Sequence, residues 1–433
     1  MYFLYSALLA VLLLLLSPYF LFQGLRHQKY LHSLAQRLGW LPQSLRQLAP
    51  GAIWVHAVSV GEVLAVVPLL RQLKQRFPNR PLVLTTVTRT GQQVATRQAG
   101  LVDAVFYFPL DFAFAARRGL ACLRPALVVI AETEVWPSFL REAEQAGVPV
   151  AFVNGRISDR SFRRHRQVPL WRRFLGRALA TPRFFLMQTQ QDAERIIALG
   201  APAERVAVGG NLKFDIALPA RPAFLDWLES RVPVIVGGST MEGEEEILVD
   251  CLRGLKHLFP KALLVLAPRH PERFEPVARW LESHGVRFVR RSAWGVTPPS
   301  ELAGPDGSGP DVLLLDTLGE LAGTYAAATV AFVGGSLVPA GGHNPVEPGL
   351  WGKPILFGPF MENFRLVAQT FAKAGAALEV RDAAELRARL TELLGDGERR
   401  QAMGRAARAL IESNRGATLR AIETMAQLLP ARG

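Results

Sequence analysis

Residues 52–65 read AIWVHAVSVGEVLA, an apolar run without alternation that passes through a short turn into an amphipathic stretch. A strand that is apolar at nearly every position is one buried on both faces, as in parallel sheets covered by helices. Outward from this stretch the same unit recurs as PLVLTTV, AVFYF, ALVVIAE, VPVAFV and RFFLMQ, each after a segment of helical length. A second series begins past residue 230 with VPVIVGG, ALLVLAP, VRFVR, DVLLLD, TVAFVGG and PILFG. The expected fold class is therefore α/β, with two Rossmann-like parallel-sheet domains facing a cleft.

The boundaries follow from composition. Residues 26–210 make the expected first domain, and 211–231, with two prolines and few strand-like features, a linker. Residues 232–433 make the second domain, its tail from about residue 382 rich in helix formers. Within it, RSAWGVTPPSELAGPDGSGP (291–310) reads as a mobile insertion. The chain is 49% hydrophobic over 433 residues, enough to fill two cores. Cys122 and Cys251 are its two cysteines, far apart, so a reducing compartment is expected and a disulfide framework is not.

Residues 1–22, MYFLYSALLAVLLLLLSPYFLF, carry no charged side chain, and as a helix would reach about 33 Å. They read as an uncleaved membrane-anchor helix over residues 1–25. A signal peptide is disfavoured because no basic stretch precedes the apolar run and no small-x-small site follows it. Arg26, His27, Lys29 and Arg37 come next, which places the remainder on the cytoplasmic side of an inner membrane. Pro18 leaves a kinked or interfacial segment open. Net charge is +13, and 43 of the 50 basic residues are Arg, so where the charge sits is more informative than its sum. Between Arg156 and Arg177 arginines alternate with Phe162, Trp171 and Phe174. Without a nucleic-acid fold, contact with lipid phosphates is preferred there to nucleic acid, beside a plain solvated helix face.

In parallel sheets ligands gather at the carboxyl ends of strands. After the first strand, Ser59, Gly61 and Glu62 sit at the turn into a helix. Glu62 there has two readings, a partner of the helix dipole or a general base. Glu132 and Glu134 follow the fourth strand in AETEVWPS. If that segment stays extended they point to opposite sides, and Glu132, nearer the strand, is preferred. In the second half VGGST (236–240) reads as a strand-to-helix turn able to cradle a phosphate, LAPRH places Arg269 at a strand end, and DTLGELAGTY offers Gly319 and Glu320. GGSLVPAGGHNPVEP (334–348) completes the set: Gly334, Gly335 and Ser336 permit close backbone approach, and Asn344 and Glu347 stand near the next helix. His343 reads as structural. No metal-ligand spacing, GxGxxG or GxxxxGK[ST] loop occurs, so neither a required metal nor a dinucleotide or NTP site is expected.

VHAVSVGE, ETEVWP, NGRISDRS, GNLKFD, APRH, LGELA and GGSLVPAGGHNPVEP together resemble the motifs of the Kdo transferases, the 3-deoxy-D-manno-octulosonic acid transferases of lipopolysaccharide assembly, in that family's order. The resemblance implies a GT-B architecture, with a lipid A precursor (lipid IVA) held by the first half and CMP-Kdo by the second. It matches Glu62 to the general base and Glu132 to a second functional carboxylate. Nucleotide contacts fall on Pro268 and Arg269, on Leu318, Gly319 and Glu320, and on Asn344, Pro345, Val346 and Glu347. Lys213, Ser239, Thr240 and Ser336 lie in matching motifs on the nucleotide side, and Ser59, Gly61 and Arg156 on the acceptor or phosphate side. No cofactor is implied beyond the sugar donor. Two rivals share parts of this pattern: a UDP-sugar transferase or epimerase of similar fold, and a tethered lipid-binding protein using the Arg156–Arg177 segment.

Overall fold

The strand Ile53–His56 (β1) is wholly buried, as are Leu82–Thr86 (β2) and Leu127–Ala131 (β4). With Ala104–Tyr107 (β3), Val150–Gly155 (β5), Phe184–Met187 (β6) and Val206–Val208 (β7) they form one parallel sheet in the order β3-β2-β1-β4-β5-β6-β7. Trp54, Phe106, Phe108, Phe139 and Phe152 fill one face, and Val55, Val66, Leu69, Leu84 and Val129 the other. The second sheet runs β10-β11-β9-β8-β12-β13-β14 from Val234–Thr240 (β8), Leu263–Pro268 (β9), Phe288–Arg290 (β10), Val312–Leu314 (β11), Val330–Val333 (β12), Ile355–Phe357 (β13) and Ala377–Glu379 (β14). It is parallel throughout. In both sheets the strand order reverses beside the first strand, between β1 and β4 and between β8 and β12, which is where an open α/β sheet leaves its crevice.

This computed structural model describes residues 1–27, 31–216, 218–295 and 309–429. The chain divides into unit 1, Met1–Ile216 with Asn414–Gly433, and unit 2, Ala217–Ser413. The sequence reading ran the second domain through to residue 433. Instead the helix Ala417–Leu428 returns to unit 1, where Ala421, Ile422 and Met425 join the core face of Val55 and Leu69. Asp215 fixes that return by accepting the Gly416 and Thr418 N–H groups. Apolar patterning marks these residues as buried without saying against what. Strands β7 and β14, three residues each at a sheet edge, lie outside the runs read as strands.

Residues Tyr2–His27 form one helix. The expected anchor over residues 1–25 is not supported: among the described residues, no helix is long and apolar enough to cross a membrane. The Tyr2 ring lies 4.9 Å from Phe174 and under the Arg141 guanidinium, and Tyr5 packs 5.4 Å from Phe174 while its hydroxyl bonds Asp111. The first turns of the run are thus engaged by unit 1. Lys29, counted in the orientation argument, and most of the 291–310 insertion lie outside the described residues.

Candidate active site

The helix Val60–Arg76 begins directly behind β1, and its first turn carries Glu62. Ser59 stands at its N-cap position in extended backbone. Its hydroxyl donates to Glu62 Oε1 (2.9 Å), and the Val58 N–H donates to Glu62 Oε2 (2.8 Å). Glu62 as a residue is 6% exposed. Burial pushes its pKa up to about 7, with the negative charge of Glu132 adding to the effect and that of Glu134 adding less; the two hydrogen bonds oppose them. Gly61 sits half-buried in the same turn.

Glu132 leaves β4 with φ +57°, a left-handed conformation unusual for a side-chain-bearing residue. That turn defeats the extended-strand argument of alternating sides. Both Glu132 and Glu134 reach the neighbourhood of Glu62, and the Glu134 carboxyl is itself raised by burial and by Glu132. Lys213 answers the charge, its Nζ 3.3 Å from Glu132 Oε1. Asn154, at the end of β5 and also at φ +57°, accepts the Leu212 N–H with its side-chain oxygen, and Asn211 accepts the Lys213 N–H. Thr133 ties the loop to the next strand end: it accepts the Arg156 N–H at 2.7 Å and donates to the Arg156 carbonyl. Thus Ser59, Gly61, Glu62, Glu132, Arg156 and Lys213 come together around the β1/β4 switch point. Glu134, set aside in the sequence in favour of Glu132, joins them, and Thr133 and Asn154 are additions that only the backbone conformation reveals.

Unit 2 departs further from expectation. VGGST is not a turn; β8 continues through Thr240, and Gly237 and Gly238 pair with both neighbouring strands. A side chain at Gly238 would meet the Tyr325 hydroxyl at 1.9 Å, which is the packing reason for glycine there. Thr240 is fully buried and its hydroxyl donates to Glu245. Ser336 is fully buried too, donating to the Val333 carbonyl and accepting the Gly358 N–H. Ser239 takes φ +56° with its carbonyl against Gly334. The amides of GGSL already have an anion: the fully buried Glu244 carboxylate accepts the N–H groups of Met241 (2.9 Å), Gly335 (2.6 Å), Ser336 (3.0 Å) and Leu337 (2.9 Å). The amides of Gly335, Ser336 and Leu337 therefore serve a protein carboxylate, and VGGST (236–240), read as a phosphate-cradling turn, is strand instead.

What remains open to a ligand lies beside it. Pro268 ends β9, and the exposed Arg269 guanidinium that follows has no hydrogen bond or ion pair among the described residues. It acts on two groups of the GGHNPVEP loop. Burial raises the Glu347 carboxyl, while Asn344 and Arg269 draw it back down; burial and then Arg269 lower the His343 imidazole to about 4. Asn344 accepts the Val346 N–H at 3.1 Å, and Pro345 leads into the short helix Val346–Leu350. Leu318 and Gly319 (φ +86°) form an exposed tip after β11, and Glu320 is held by Arg291 (2.8 Å) and the Thr317 hydroxyl. A fixed carboxylate acceptor and an unpaired cation in one unit suit a ligand bearing hydroxyls and a phosphate.

The family model described as 3-Deoxy-D-manno-octulosonic-acid transferase (kdotransferase) matches residues 32–216. The 3-deoxy-D-manno-octulosonic acid transferase of Haemophilus influenzae is 33% identical over 98% of this chain and 97% of its own length. A solved C-terminal CMP-Kdo binding domain from Acinetobacter baumannii is 29% identical, covering 43% of this chain and 93% of that one, with a TM-score of 0.38. A putative UDP-N-acetylglucosamine 2-epimerase from Listeria monocytogenes, 13% identical with a TM-score of 0.50, covers 89% of this chain and 99% of its own. That last likeness shows the two-sheet fold alone, and so does not favour the epimerase rival. The sequence match spans both units, and with it the chain belongs to the 3-deoxy-D-manno-octulosonic acid transferase family.

Proposed function

We propose that the protein is an inverting GT-B glycosyltransferase that moves Kdo from CMP-Kdo to a lipid A precursor, lipid IVA, at the cytoplasmic face of an inner membrane. The observation that carries the reading is Glu62: a buried carboxylate at a switch point, pushed to about 7 and held in place from two sides. A base with that pKa is half deprotonated near neutral pH and still basic enough to receive a proton. It takes the proton of a sugar hydroxyl as the oxygen attacks the anomeric carbon of Kdo, and the bond to CMP breaks on the opposite side. Glu132, with Lys213 beside it, keeps the Glu62 proton affinity high. In unit 2, Arg269 meets the phosphate whose charge grows as CMP departs, and Glu347 accepts from ribose hydroxyls. The acceptor is amphiphilic, so its sugar is presented at a lipid surface.

The test is transfer from CMP-Kdo, generated in situ, to a tetraacylated lipid A precursor, with product mass recorded for wild type and Glu62→Gln. A mass gain of one or more Kdo in wild type that is lost in the folded variant is expected. Absence of transfer by wild type refutes the assigned substrates, while undiminished transfer by the variant moves the base elsewhere.

A further inference from the structure

On the first unit, a second cationic feature lies away from the carboxylates. A cavity of about 560 Å³ is lined by Gly39, Trp40, Leu41, Arg46, Arg118, Ala121, Cys122 and Arg124, with no acidic residue among them. Arg118 is stacked over the Trp40 ring at 4.8 Å and reaches Phe114 at 5.4 Å. Arg46 and Arg124 make no side-chain hydrogen bond or ion pair among the described residues. Of the lining residues, Arg118, Ala121 and Cys122 belong to the end of the helix Ala113–Leu123 and Arg124 follows it, leading into β4 at its amino end. Glu62 and Glu132 stand at the opposite, carboxyl ends of β1 and β4, so this is not an extension of their site.

The exposed side of that helix carries Phe114 and Arg118, and beside it stands Trp40, 56% exposed. Cations without counter-charge around a cavity, rimmed by aromatics left in water, match the boundary between phosphate headgroups and acyl chains. The helix spans about 16 Å, so its outer face can lie along a surface that also presents an acceptor at the other end of the strands. We propose that this cavity seats the phosphate of an anionic phospholipid headgroup, with Arg46, Arg118 and Arg124 as its partners and Trp40 and Phe114 at the glycerol level. The site is independent of the transferase reading, because it uses none of the residues assigned to that reaction.

Cys122 supplies the reporter. It lines the cavity half-exposed, whereas Cys251 is buried with its thiol pushed up to about 11, so a maleimide should modify Cys122 alone in the folded full-length chain. Alkylation is followed by intact mass in phosphatidylcholine vesicles, in vesicles containing phosphatidylglycerol, and in inorganic phosphate without lipid. Protection by the phosphatidylglycerol vesicles alone is expected. In the double variant Arg46→Gln/Arg124→Gln, the lipid concentration needed for that protection should rise about thirtyfold, while transfer to a detergent-dispersed acceptor stays at wild-type rate. Equal protection by phosphatidylcholine, or by free phosphate, overturns the assignment to a headgroup. Protection unchanged in the double variant overturns the role of the arginines.

Discussion

Holding a carboxylate ready to act as a base at neutral pH works against the fold that holds it, and Glu62→Gln measures by how much. The folded-state pKa of Glu62 lies at about 7, above its ordinary 4.5. Folded chain therefore retains a proton that unfolded chain has released between those values, and the resulting stability is present below pH 4.5 and lost as pH rises to 7. At 1.36 kcal/mol per pH unit the interval amounts to about 3 kcal/mol above pH 7. Glutamine keeps the shape and both contacts: its carbonyl accepts from Val58 and its amide meets Ser59. Urea titrations of wild type and variant at pH 4.5, 6 and 8 should therefore coincide at the lowest pH and diverge upwards, the variant ending about 3 kcal/mol more stable. The same variant should lose transfer by two orders of magnitude or more, roughly the size of a general-base contribution. A variant less stable than wild type at pH 8, or a gap independent of pH, would refute the account of the Glu62 pocket even if transfer were lost.

The remaining predictions separate the neighbouring groups. Because Glu132 raises the Glu62 pKa through its charge, Glu132→Gln should move the acidic limb of the kcat/KM profile to lower pH; a limb that stays or moves up contradicts the coupling. Arg269 is exposed and its guanidinium makes no hydrogen bond or ion pair among the described residues, so Arg269→Ala should leave the melting temperature within a degree or two while raising KM for CMP-Kdo about tenfold or more. Glu244 is the opposite case. Its removal in Glu244→Ala orphans four N–H groups, of which the buried two, of Gly335 and Ser336, cost about 1–3 kcal/mol each, and the expected result is a chain that unfolds at least a molar earlier in urea or fails to accumulate. Wild-type-like stability of that variant would mean that something else occupies the amides.

Most of the architecture was open to inspection in the residues themselves, since doubly buried strands leave largely apolar runs and most of the strands carry one. Glu62 was legible for a related reason: a strand, a short turn and a helix start fix where its first-turn carboxylate must be. The environment of Glu62 was not. Whether Glu132 and Glu134 both face it depends on one left-handed residue, and nothing in ETEVWP encodes that φ by the rules of alternation. The second unit misled for a different reason. Glycines signal that a backbone must be approached closely, but not by what, and in GGSL the visitor is a glutamate located 91 to 93 positions earlier in the chain. Long-range pairings of this kind have no local signature, just as Ala421 and Ile422 read as buried without naming unit 1 as their partner.

The returning helix Ala417–Leu428 also bears on how the molecule is made. The sheet of unit 1 is complete once residue 208 has been synthesised, yet one of its core faces still lacks Ala421, Ile422 and Met425. Residues 217–413 must be translated first, which at 5–20 residues per second occupies roughly 10–40 s. During that interval the nascent chain presents the apolar surface around Val55 and Leu69 to the cytosol, and the second unit has time to fold by itself. A chain cut off between residues 414 and 420 would have every strand of its β-sheets present and an uncovered patch, a substrate for chaperones or proteases and not a slightly shortened enzyme.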